Sequence, residues 1–214
     1  MPSPWPPPDL PFPLPPGRHP RAPVPSAPPF AERGGGIVAD GLVAQRRILV
    51  SGILDGGAAT ALAAQLIVFD GSSDDDVEVI VNSPGGPVGD VIPLLDVLDL
   101  MRARVNTTGI GSIGGTAVGL MAAATGERRA APRARFSLRV DTTASIEGAA
   151  DDIARRADEL ARQRARYLAV LAAATGHDEA VLAAEIDGGG GHTATEALSL
   201  GIVDVIAAGP GRRR

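Results

Sequence analysis

The chain has 214 residues, 44% of them hydrophobic, and a formal net charge of −5, which suits one globular domain with its own core. All 20 basic residues are arginine and cysteine is absent, so a Schiff-base or P-loop lysine, a thiol nucleophile, disulfides and cysteine-based metal sites are excluded. The acidic balance argues against a nucleic-acid partner, which needs clustered positive charge, and His19, His177 and His192 are too scattered to suggest a metal centre.

Residues 1–33 hold most of the chain's 19 prolines, including Pro6-Pro7-Pro8. Repeated Pro-x-Pro steps favour polyproline II and remove backbone donors, so this segment reads as a disordered or extended tail. It is either simply solvated or a docking segment for a partner. The folded domain is expected over 34–208, and 209–214 is a short basic tail.

From Arg47 the pattern turns structural. Arg47-Ile48-Leu49-Val50-Ser51-Gly52 reads as a buried strand, 58–69 as a helix, and Asp74-Asp75-Asp76 as a polar turn. A strand over 77–81 runs into Asn82-Ser83-Pro84-Gly85-Gly86. A helix over 88–101 then places Val91, Leu94, Leu95 and Leu98 on one face. Strand 105–109, helix 116–124 and strand 135–140 follow. A long helix over 147–175 carries Ile153, Ala157, Leu160, Tyr167 and Leu171 as an apolar stripe, which is a packing face of some kind. Strand and helix in alternation predict an α/β fold with a parallel sheet and crossover helices.

A strand closed by a glycine turn that opens a helix builds a rigid row of backbone N–H donors. With its flanks, Val81-Asn82-Ser83-Pro84-Gly85-Gly86 resembles the Clp protease proteolytic subunit family, the ClpP-like serine peptidases of crotonase-like fold. Reading on without a gap, Gly111-Ser112-Ile113-Gly114-Gly115 falls on that family's G-x-A-A-S nucleophile motif. Asp152-Ile153 after Glu147-Gly148, then Thr175-Gly176, keep the family's order. Thr193 to Asp204 is similar to its closing S-A-x-E-A-x-x-x-G-L-I-D element, with Glu196, Ala197, Gly201 and Asp204 matching outright.

The resemblance implies a ClpP/crotonase-like fold of repeated strand-turn-helix units, with 147–175 as the handle helix by which rings stack. It also implies peptide or protein substrates, partner ClpP-type paralogues in a homo- or hetero-oligomeric ring, and a separate AAA+ unfoldase. No cofactor, metal or membrane span is implied. The N-terminus lacks a signal peptide's basic-then-apolar order and the least polar stretch, 105–126, is broken by Gly, Ser and Thr, so a cytoplasmic protein is expected.

The family's catalytic residues transfer poorly. Its serine falls on Gly115, its histidine on Arg139 and its aspartate on Gly189, and an arginine that stays protonated takes no proton from a nucleophile. The expectation is a catalytically inactive subunit. Gly85, Gly86 and Thr116 remain as backbone donors for a carbonyl or an extended peptide, although a purely structural turn explains the two glycines as well. An Arg139 buried in the old pocket would need an acidic partner.

Three other readings stay open, one of them a free-standing peptide-binding scaffold that would assemble into rings without any paralogue. A rewired hydrolase would use Thr116 or Ser112 with His192 and Asp187, whereas the plainer reading makes Thr116 a helix-capping hydroxyl and His192 a surface-loop residue. A crotonase-like acyl-CoA enzyme would need a carboxylate near the turn, and Asp90 is the one on offer.

Overall fold

The computed structural model describes residues 41–140 and 150–207. The proline-rich tail over 1–33, the basic tail over 209–214 and the expected start of the long helix at Glu147 lie outside the described residues. Three strand-turn-helix units open the fold. In the first, β1 (Arg47–Ile53) leads to α1 (Gly56–Ser72), whose N-cap Asp55 accepts a hydrogen bond from the Ala58 N–H at 2.9 Å. Next, β2 (Val77–Gly85) leads to α2 (Val88–Leu100). Last, β3 (Val105–Gly109) and β4 (Ser112–Gly114) lead to α3 (Thr116–Ala122).

The chain continues through β5 (Arg128–Ala130), β6 (Arg135–Ser137) and α4 (Ala150–Thr175). It closes with α5 (Glu179–Gly188), β7 (Gly191–Thr193), α6 (Ala194–Ser199) and β8 (Val205–Ile206). The main sheet runs β1-β2-β3-β5-β8 with every pairing parallel, the expected outcome of strands joined by crossover helices. A second, smaller sheet runs β4-β6-β7, with β6 and β7 antiparallel.

Strict alternation explains β2: Val77, Val79 and Val81 are buried, and the glutamate and isoleucine between them are only half-buried. On α2, Val91, Leu94, Leu95 and Leu98 form the buried face that the helical spacing predicts. Among the described residues no helix is long and apolar enough to cross a membrane.

Several expectations need correction. Strand 135–140 pairs only as far as Ser137, although Leu138 and Val140 stay buried, and helix 116–124 stops at Ala122. The α4 stripe is not covered along its whole length. Tyr167 and Leu171 sit in the core beside Leu168, whereas Ile153 is 39% exposed, Ala157 is exposed and Leu160 half-buried. Its C-terminal half belongs to this domain's core and its N-terminal half stands in solvent.

Candidate active site

Two turns meet at the centre. The first joins β2 to α2 through Gly85-Gly86; the second joins β4 to α3 through Gly115. A side chain on Gly85 would begin 2.6 Å from both the Gly114 carbonyl and the Thr116 nitrogen, so the turns touch backbone to backbone. Thr116, fully buried, fastens them. Its Oγ1 accepts from the Gly86 N–H at 2.8 Å and donates to the Gly86 carbonyl at 3.0 Å.

Gly115 stands at φ 50°, ψ −127°, a strained strand-to-helix conformation of the kind that lifts a nucleophile out of a sheet. Glycine holds it without a Cβ penalty. Its N–H donates to the Ser137 carbonyl at 2.8 Å. A side chain there would emerge 3.0 Å from the Pro84 carbonyl and 3.3 Å from that of Arg139. A side chain on Gly189 would in turn begin 3.7 Å from Arg139 Cδ. Gly115, Arg139 and Gly189, far apart in the chain, thus lie beside one another, and none of them carries a hydroxyl, imidazole or carboxylate. Arg139 is exposed rather than buried in a pocket, and lies between the buried Leu138 and Val140.

The rewired alternatives fare differently from expectation. Thr116 is not a cap, since Gly115 is the N-cap and no side chain caps α3. Its hydroxyl spends both hydrogen-bonding roles on Gly86. Ser112 and His192 cannot pair across the small sheet. Ile113, Phe136 and His192 share one register line, and Ser112, Arg135 and Thr193 the next, so the two side chains leave opposite faces. His192 is not a surface-loop residue either: it lies on β7, only 12% exposed, with Nε2 3.3 Å from Glu185 Oε2 but not aligned for a hydrogen bond. Asp187 is bound to Arg164 at 2.6 Å. Asp90 lies in the first turn of α2, its carboxyl carbon 3.5 Å from where a Gly56 side chain would begin.

Tyr167 is a site-shaping residue that sequence reasoning took only for a stripe member. Its phenol donates to the Gly115 carbonyl at 2.9 Å and accepts from the Gly119 N–H at 3.0 Å. It stands between the two groups that the first α-helical turn would pair. Burial pushes its pKa well above the ordinary tyrosine value, so it stays protonated. Gly119 leaves the room, since a side chain there would begin 2.3 Å from the ring. Glycines at 115 and 119 were the only hint in the sequence. Tyr167→Phe is expected to cost about 1–3 kcal/mol, partly relieved because Gly119 can donate directly to Gly115. Thermal melting should show it, and an unchanged midpoint would mean that the hydroxyl holds nothing.

A parallel sheet fed by strand-turn-helix units, with two glycine turns packed at a strained elbow, defines a crotonase-like α/β protein of the ClpP type. Comparison with known proteins agrees: the model of the Clp protease family matches residues 34–209. The ATP-dependent Clp protease proteolytic subunit 1 of Rhodococcus jostii is 33% identical over 163 residues, covering 75% of this chain and 74% of that protein. Subunit 1 of Nocardia farcinica is 33% identical over 179 residues, covering 81% and 90%. Subunit 2 of Mycobacterium leprae is 32% identical over 166 residues, covering 76% and 78%. The chain belongs to the Clp protease family, as a ClpP-like proteolytic-subunit homologue.

Proposed function

We propose that this chain is a catalytically silent ring subunit of a Clp-type protease, assembling with an active proteolytic paralogue that does the hydrolysis. Gly115 carries the reading: a residue with no side chain occupies the elbow where a nucleophile would stand. Arg139 and Gly189 beside it supply neither base nor orienting acid. The assembly acts on peptides or unfolded proteins in the cytoplasm. An AAA+ unfoldase supplies the ATPase, because this chain has no lysine for a P-loop. The exposed N-terminal half of α4, with Ile153 and Leu160, is the surface offered to other subunits.

The test uses the full-length chain. A serine-directed fluorophosphonate should leave no adduct, and sedimentation should show a ring, alone or with an active ClpP-type paralogue. Ile153→Asp combined with Leu160→Asp should shift the ring to smaller species without unfolding the monomer, whereas Leu171 is part of the core and unsuitable for this purpose. Covalent labelling of the unaltered chain would remove the silent reading. A monomer under both conditions would remove the ring.

A further inference from the structure

We infer that Thr116 closes this site independently of the missing triad, by occupying the Gly86 N–H that a substrate carbonyl would need. The inference rests on the reading above, in which Gly115 marks the vacated nucleophile position. An oxyanion forming on a carbonyl attacked from residue 115 needs backbone donors about 3 Å away. Gly86 is the turn glycine bonded to the residue next to Gly115, so its N–H is the donor within reach. Here that N–H already points at Thr116 Oγ1, 2.8 Å away, and the same hydroxyl returns a bond to the Gly86 carbonyl at 3.0 Å.

The closure is built in. Thr116 is fully buried, its backbone is fixed in the first turn of α3, and Gly85 lies against Gly114 and Thr116 with no room for a side chain. A carbonyl arriving from solvent would compete with an acceptor tethered in place, which has no association entropy left to lose. Restoring nucleophile, base and acid would therefore leave the acyl centre without one of its donors. Loss of a single such donor lowers turnover by about 100- to 1,000-fold.

The experiment compares three full-length chains. One carries Gly115→Ser, Arg139→His and Gly189→Asp; the second adds Thr116→Ala; the third adds Thr116→Ser instead, which keeps the hydroxyl and loses only the methyl. Each is treated with a fluorophosphonate, where the introduced serine oxygen bonds phosphorus, fluoride leaves and the serine proton passes to the introduced imidazole. Labelling should be about 100-fold faster with Thr116→Ala than in the other two chains. Equal rates with Thr116→Ala and Thr116→Ser, or a three-site repair that labels as fast as the chain with Thr116→Ala, would overturn the inference. Should the repaired chains fail to fold, hydrogen exchange at the Gly86 amide decides, with Thr116→Ala and Thr116→Ser made in the otherwise unaltered protein. Exchange about tenfold faster in the alanine variant alone is the expected result, and equal exchange in both overturns it. Labelling of the unaltered chain counts against the silent-subunit reading instead, so the two failures are separable.

Discussion

Replacing Arg128 by methionine is expected to lower stability by about 2–4 kcal/mol and the melting midpoint by roughly 5–15 °C. Arg128 follows the Gly126-Glu127 turn as the first residue of β5, and its side chain is 15% exposed. One guanidinium nitrogen donates to the carbonyls of Ala122, Ala174 and Gly201, at 3.2, 3.0 and 2.8 Å. These oxygens lie at the C-terminal ends of α3 and α4 and just beyond α6, where helix carbonyls lack partners and the helix dipole is negative. A single cation therefore serves three helix ends at once. The other nitrogens grip Asp204, whose carboxyl pKa is held below the usual range chiefly by those bonds.

Methionine fills similar space but leaves three carbonyls without donors and Asp204 with only the main-chain N–H of residue 128, at 2.9 Å. Lysine keeps the charge but not the planar fork, and should fall between the two. The carbonyl bonds account for most of this loss, because Asp204 is 42% exposed and its ion pair is screened by solvent. The pH dependence has a definite sign. Asp204 is a depressed carboxylate, so its contribution is present above its unfolded pKa and lost as pH falls through the lower folded value. The variant should lose the share of this acid sensitivity that the guanidinium supplies and keep the smaller share from the main-chain N–H. A variant melting within 2 °C of the unaltered protein would show that water satisfies those helix ends as well as Arg128 does.

Where the sequence was legible, a long apolar period or a turn signature carried the reading. The α2 face of Val91, Leu94, Leu95 and Leu98 spans about two helical turns, and β2 alternates over Val77, Val79 and Val81, so both emerge from side-chain spacing alone. The three-residue strands β4, β5 and β7 are too short to show a period, and Arg128-Arg129-Ala130 reads as polar surface. Helices α5 and α6 were missed for a related reason: one carries only Leu182 and Ile186 into the core, the other only alanines. Order and spacing of family motifs singled out Gly115, Arg139 and Gly189 as expectations, and in the fold the three lie side by side. What no local pattern could show was the use made of two hydroxyls. Thr116 bonds a residue thirty positions away and Tyr167 one fifty-two positions away. Such partners are chosen by tertiary packing, which also separated Ser112 from His192 through strand register.

Gly86→Ala is expected to be the most damaging small substitution in the domain, at about 3 kcal/mol or more, with loss of the native turn. An added methyl would begin 1.9 Å from the Leu54 carbonyl oxygen and 2.5 Å from its carbon. Those atoms are main chain and cannot rotate away. Leu54 is itself pinned, because its N–H donates to the Gly85 carbonyl at 3.0 Å and Asp55 next to it caps α1. On the other side Thr116 holds both the N–H and the carbonyl of Gly86. The added carbon has to push apart the β1–α1 and β2–α2 connections, breaking the bond between Leu54 and Gly85 or the Thr116 clasp. Gly71→Ala is the control: it lies in the last turn of α1 with nothing within 4 Å, and should be neutral or stabilising by up to about 1 kcal/mol. Melting curves of the two variants should diverge, and a Gly86→Ala midpoint matching that of Gly71→Ala would mean the turns are not in contact. The expected result also bears on the site, because it makes glycine at 86 a requirement of backbone packing. Its N–H is then placed by Leu54 and Thr116 whether or not a substrate ever comes to it.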